Sequence, residues 1–209
     1  MKLQDNVVVY DNVQIGEGTS LEHFSVIGVP SQVGKPSLRN TEIGNNCIIG
    51  CHVTIFEGVS IGSNCLLDDY VNIGEGVKIG NRCKIIYGAK VMDASCILND
   101  AIVGGFVCEN AQIGSHSRVF GNLVHAHTNP SAGWDDVVEA SPLIGPNVFI
   151  GFGATVIGGV NIGSNAYIAA SAVVTKSVPE RHIVVGVNKM IPLDKWSGKL
   201  SKSPFFERK

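Results

Sequence analysis

The chain has 209 residues, a formal net charge of −2 and a hydrophobic fraction of 44%. That charge excludes the basic patch or stripe of a nucleic-acid footprint, and no uninterrupted apolar run approaches the roughly 18 residues of a membrane span. The six cysteines (Cys47, Cys51, Cys65, Cys83, Cys96 and Cys108) lack paired Cys-x-x-Cys spacing, and Met1 to Tyr10 lacks the charged-then-apolar pattern of a secretion signal. The expectation is a cytoplasmic protein with reduced thiols and no metal.

From the start of the chain an aliphatic residue returns at every sixth position: Leu3, Val9, Ile15, Leu21, Ile27. The series resumes at Ile43 and runs through Ile49, Ile55, Ile61, Leu67, Ile73, Ile79, Ile85, Val91 and Ile97 to Val103. It returns in Ile144, Ile150, Val156, Ile162, Ile168 and Val174. Helices repeat apolar residues every three to four positions and strands every two, so a strict six is neither. A hexapeptide period belongs to parallel β-helices, in which three units close a triangular coil of about 18 residues and coils stack about 4.8 Å apart.

Within each unit the residue two before the next aliphatic also points inward, because strand side chains alternate. This position is small: Cys47, Val53, Val59, Cys65, Val71, Val77, Cys83, Ala89, Ser95, Ala101. Cys47, Cys65 and Cys83, one coil apart, are read as a ladder of small buried side chains rather than a metal or redox site. The residue after each aliphatic is often glycine, as at Gly44, Gly50, Gly62, Gly74 and Gly80, and is expected to turn the corner with positive φ.

The period breaks in three places, and insertions in solenoids project as loops that carry function. Residues 28–42 have loop composition. The step from Val103 to Ile113 is ten rather than six and reads as a small bulge. After Val124 comes His125-Ala126-His127-Thr128, then an excursion over 128–143 with Trp134, Asp135, Asp136 and Glu139. His125 falls six after Val119, on the inward register. An imidazole is costly in a dry core, so the chain is expected to leave the coil there. His125 and His127 would then lie on one side of an extended segment. Two histidines, an aromatic residue and three carboxylates have the composition of an active site. The remaining histidines (His23, His52, His116, His182) read as surface or satisfied residues.

These repeats resemble the hexapeptide-repeat acyltransferases, over Leu3 to about Met190. The resemblance implies an all-β fold, a single left-handed parallel β-helix over residues 1–190, with 191–209 a basic tail that caps its open end. It implies an acetyl-coenzyme A-dependent acetyltransferase acting on a hydroxyl or amino group of a sugar, sugar nucleotide or glycan precursor, and a homotrimer. It places His125 as general base, with His127 the runner-up, and Trp134, Asp135, Asp136 and Glu139 at the acceptor. Asp135, Asp136 or Glu139 would orient the imidazole. The last coils are similar to the family's coenzyme site, implicating Gly151, Gly153, Ala169, Ala170, Thr175, Lys176 and Arg181. An amide at Gly151 or Gly153 would serve the oxyanion. Val185-Gly186-Val187-Asn188-Lys189-Met190 departs from the family's closing motif in lacking its proline. Two alternatives stand beside this reading. One is a non-catalytic hexapeptide scaffold. The other is a γ-type carbonic anhydrase-like zinc enzyme, for which His125-Ala126-His127 has the wrong spacing.

Overall fold

A computed structural model describes residues 2–3, 6–31, 39–127 and 139–197. Among them, two- to four-residue strands wind into three parallel sheets of eleven, nine and eight strands, the faces of a triangular prism. Up to Val173–Val174 consecutive strands go to successive faces, so each pairs with the one three places on, while His182–Val185 pairs with Tyr167–Ile168, two places back. The winding is a left-handed parallel β-helix. In the regular stretch the register is 18 residues, as in Leu67 with Ile85 on the first face, Ile73 with Val91 on the second and Ile79 with Ile97 on the third.

The six-residue series fills the interior. Ile49, Ile55, Leu67, Ile73 and Ile85 are all 0% exposed, and so are the small inward residues Cys47, Val53, Val59, Val77 and Cys83. The cysteine ladder is packing. Each thiol donates to a carbonyl at the same corner of the next coil, Cys47 Sγ to Gly62 O, Cys65 Sγ to Gly80 O and Cys83 Sγ to Leu98 O, each at 3.1 Å. Ala101 fills the next slot, and in the one after it Ser117 Oγ does the same to Gly145 O at 2.8 Å.

The corners work differently from the expectation. Gly44, Gly50, Gly62, Gly74 and Gly80 are not in the positive-φ region; that conformation falls two residues later, at Asn46, His52, Asn64, Gly76 and Arg82. Glycine follows the aliphatic because the next coil is too close for a side chain. A Cβ on Gly62 would lie 2.8 Å from the carbonyl carbon of Gly80 and 2.8 Å from the amide nitrogen of Asn81. The residue between accepts the corner's spare amide: Ser63 N donates to Asn81 Oδ1 and Asn81 N to Asn99 Oδ1, both at 2.8 Å. This is why asparagine, aspartate and serine recur there, since a corner amide needs a partner.

The irregularity after Val103 is a shortened corner rather than a bulge. Val107 is the next inward aliphatic, four residues on, and the register drops to 16 (Val91 with Val107). The next coil shortens at the same corner, from Val119 to Leu123, and Leu123 stacks on Val107. The two short corners nest: a Cβ on Gly105 would overlap the Gly121 carbonyl oxygen. The inward position expected at His125 therefore belongs to Leu123, which is 0% exposed.

The last parallel strand, His182–Val185, pairs antiparallel with Lys189–Pro192, closing the end of the first face. Ile183 and Leu193 form a small second core with Tyr167, Val185 and Trp196.

Candidate active site

His125 stands just past the second-face strand Asn122–Val124, where the chain leaves the coil at the edge between the second and third faces. One coil below, at the same edge, Glu109 follows the buried pair Val107-Cys108. Glu109 Oε2 lies 3.5 Å from His125 Nδ1. The other ring nitrogen, Nε2, lies 3.0 Å from Ser141 Oγ and 3.3 Å from the Glu109 carbonyl oxygen. Ser141 Oγ in turn donates to that carbonyl at 2.5 Å. Side-chain exposure is 23% for His125 and 30% for Glu109, so the pair is sheltered yet reachable. Beneath it burial pushes the Cys108 thiol up to about 12, with the Glu109 carboxylate adding to the effect.

Glu109 and Ser141 were not singled out from the sequence. A uniform repeat would set His125 above Val107, 18 residues back. The shortened corner makes the coil 16 residues, and the partner becomes Glu109. The signal was present in the ten-residue step from Val103 to Ile113, had it been read as four plus six.

His127 is not in an extended segment with His125, since its φ is 43°. Its amide donates to Glu139 Oε2 at 2.6 Å, and its Nδ1 lies 3.8 Å from Glu139 Oε1. Glu139 thus ties the two roots of the excursion together. Trp134, Asp135 and Asp136 lie outside the described residues. Gly158 and Gly159 give the loop roots room: Cβ atoms there would meet Ala126 and Ala140 respectively.

The seven residues assigned to the coenzyme fall on three edges of the prism. Ile157 pairs with Val124 and precedes Gly158, and Val156 pairs with Val174, so Thr175 and Lys176 come two coils beyond His125 on its own edge. That is roughly 10 Å at the usual strand spacing. Both are exposed, and Asn188 clamps Thr175, accepting from its amide and donating to its hydroxyl, each at 2.8 Å. Gly151, Gly153, Ala169 and Ala170 stack on the edge between the first and second faces, where Gly151 N already donates to Ile168 O at 2.9 Å. Arg181 stands on the third edge, its amide bonded to Ser164 O. The other histidines have local partners: His52 stacks between Phe24 and Tyr70, His182 Nδ1 meets Glu180 O at 2.8 Å, and His116 lies 4.0 Å from Asp100. Among the described residues no group of three His, Cys, Asp or Glu side chains suits a metal ion, and no helix is long and apolar enough to cross a membrane.

Comparison with known proteins agrees with this architecture. The family described as bacterial transferase hexapeptide (six repeats) matches residues 58–91 and 141–176, and the hexapeptide repeat of succinyl-transferase matches 40–68. The bifunctional protein GlmU of Koribacter versatilis is 24% identical over 93% of this chain and 42% of its own length. The serine acetyltransferase of Mycobacterium tuberculosis is 31% identical over 49% of this chain and 42% of its own length. The chain therefore spans about two fifths of these relatives. The solved UDP-N-acetylglucosamine acyltransferase from Campylobacter jejuni superposes with a TM-score of 0.53 at 14% identity, covering 93% of this chain and 76% of that one. The chain has the left-handed β-helix fold, and parts of it match the hexapeptide repeat described for bacterial transferases.

Proposed function

We propose that this chain transfers an acyl group, most simply acetyl, from a coenzyme A thioester to a hydroxyl or amino group of a sugar, sugar nucleotide or glycan precursor. The observation that carries the reading is the His125–Glu109 pair at the root of the excursion. A histidine braced by a carboxylate through Nδ1 can take a proton at Nε2. His125 is the general base, removing the acceptor's proton as it attacks the thioester carbonyl. Glu109 holds the ring in that tautomer. Matches to proteins named as acyltransferases support the reaction class.

Trp134, Asp135 and Asp136 belong to the acceptor side in this reading. Lys176, exposed two coils along the catalytic edge, meets a coenzyme phosphate. Gly151, Gly153, Ala169, Ala170 and Arg181 occupy other edges of one chain, and a homotrimer brings them to bear from a neighbouring subunit. The thiols are reduced and the protein is cytoplasmic.

Calorimetric titration with acetyl-coenzyme A, with coenzyme A for comparison, tests the reading. Saturable binding at one site per chain is expected, and no binding at millimolar ligand would sink it. The His125→Ala variant should bind the coenzyme normally and lose turnover by about 10²–10⁴-fold; near-normal turnover would move the base to His127.

A further inference from the structure

Among the described residues Ser141 is the one side-chain partner of His125 Nε2, and general-base acyl transfer leaves it without a task. Its Oγ is 3.0 Å from Nε2, and the opposite ring nitrogen is 3.5 Å from the Glu109 carboxylate. Hydroxyl, imidazole and carboxylate in that order, each near hydrogen-bond reach of the next, form the constellation that activates a serine nucleophile. Distances of this kind are commonly loose before substrate binds. The three residues come from three separate stretches, Glu109 from the coil below, His125 from the end of Asn122–Val124 and Ser141 from the return of the excursion. Both Ser141 and His125 are partly exposed.

We propose that Ser141 is an acyl-accepting nucleophile, and that the site consequently has a second activity as an acceptor-independent thioester hydrolase. The Ser141 hydroxyl has two acceptors in reach, the Glu109 carbonyl at 2.5 Å and His125 Nε2. Rotation about Cβ–Oγ carries its proton from the first to the second without moving a heavy atom. In the forward step the proton passes to Nε2, an Oγ–acyl bond forms, and the thioester C–S bond breaks. His125 returns the proton to the departing sulfur, releasing coenzyme A as the free thiol. In the second step water, or an acceptor hydroxyl, gives its proton to Nε2 and attacks the serine ester. The Oγ–acyl bond breaks and Ser141 recovers its proton. With water the balance is thioester plus water to carboxylic acid plus thiol, and no oxidant or reductant is needed.

The proposal rests on the acyltransferase reading for its natural donor, but its test does not. A fluorophosphonate probe reports an activated serine whether or not coenzyme A binds. Incubation of the full chain with the probe, followed by peptide mass spectrometry, should place one adduct on Ser141. The adduct should be lost in His125→Ala and reduced at least tenfold in Glu109→Gln. Rapid-quench mixing with acetyl-coenzyme A should then show an acetyl ester on the same peptide, with slow acid release in the absence of acceptor. Unmodified Ser141 in both experiments would overturn the proposal. If coenzyme binding and acceptor acetylation persist in that case, the base-catalysed transfer stands and the serine only positions the ring. Absent coenzyme binding with an intact Ser141 adduct would support the nucleophile and sink the coenzyme reading.

Discussion

A methyl group at Gly62 would meet Asn81 Oδ1 at 2.6 Å and backbone of the next coil at 2.8 Å, and turning the Asn81 side chain away would not relieve the backbone contact. Gly62→Ala should therefore destabilise by about 1–3 kcal/mol, the range for forcing atoms into a packed region, and a thermal melt would read it as a lower Tm. Gly88 has φ 68° with nothing within 4 Å of an added Cβ, so Gly88→Asn should be nearly neutral; asparagine holds the same place in the repeat, with positive φ, on another edge at Asn46 and Asn64. The contrast separates two demands on glycine that the sequence merges. At the site, Glu109→Gln keeps the shape of the side chain and removes its charge. The expected result is a kcat lower by about 10²-fold with an unchanged KM for acyl-coenzyme A, whereas a merely structural glutamate would move both.

The coil is the element of this protein, and its length decides which residues meet. Ile43 to Val103 could be placed inward from the period alone, and every one of those residues is buried. What the period could not convey was the loss of two residues at one corner, repeated in the next coil, because a gap of ten fits a bulge as well as a short step. That single ambiguity moved His125 from an apparent core register to the edge and hid Glu109. Nearness in the chain points to Asp135 and Asp136, which lie outside the described residues, whereas a solenoid also brings partners together across coils, as it does Glu109 and His125. Inward and outward faces also sort the cysteines. Iodoacetamide under native conditions at pH 8 should label Cys51 and Cys96, which are partly exposed. Cys47, Cys65, Cys83 and Cys108 should stay unlabelled until the chain unfolds, a pattern peptide mass spectrometry resolves. At Cys108 the thiol, pushed up to about 12 by burial and the neighbouring Glu109, resists ionisation as well as access.

Across the whole molecule, a stack of coils has two ends where paired strands stop, and an open end invites another chain. Lys189–Pro192 folds back antiparallel on His182–Val185 and ends the first face. Ending the chain at Asn188 should leave that strand's edge bare, and light scattering should then show a larger assembly than the full chain forms. Along the edge between the first and second faces, Phe24, His52 and Tyr70 stack in succession at 5.0 and 4.9 Å with interplanar angles of 10° and 9°. Phe24 and Tyr70 are about half exposed, yet their π-clouds are turned on one another and water meets mostly rims of C–H and O–H. A pyranose ring adheres to the flat of an aromatic, and along this column those flats are spent. A sugar acceptor gains little from the most conspicuous aromatic feature of the surface and is left to the edge that carries His125.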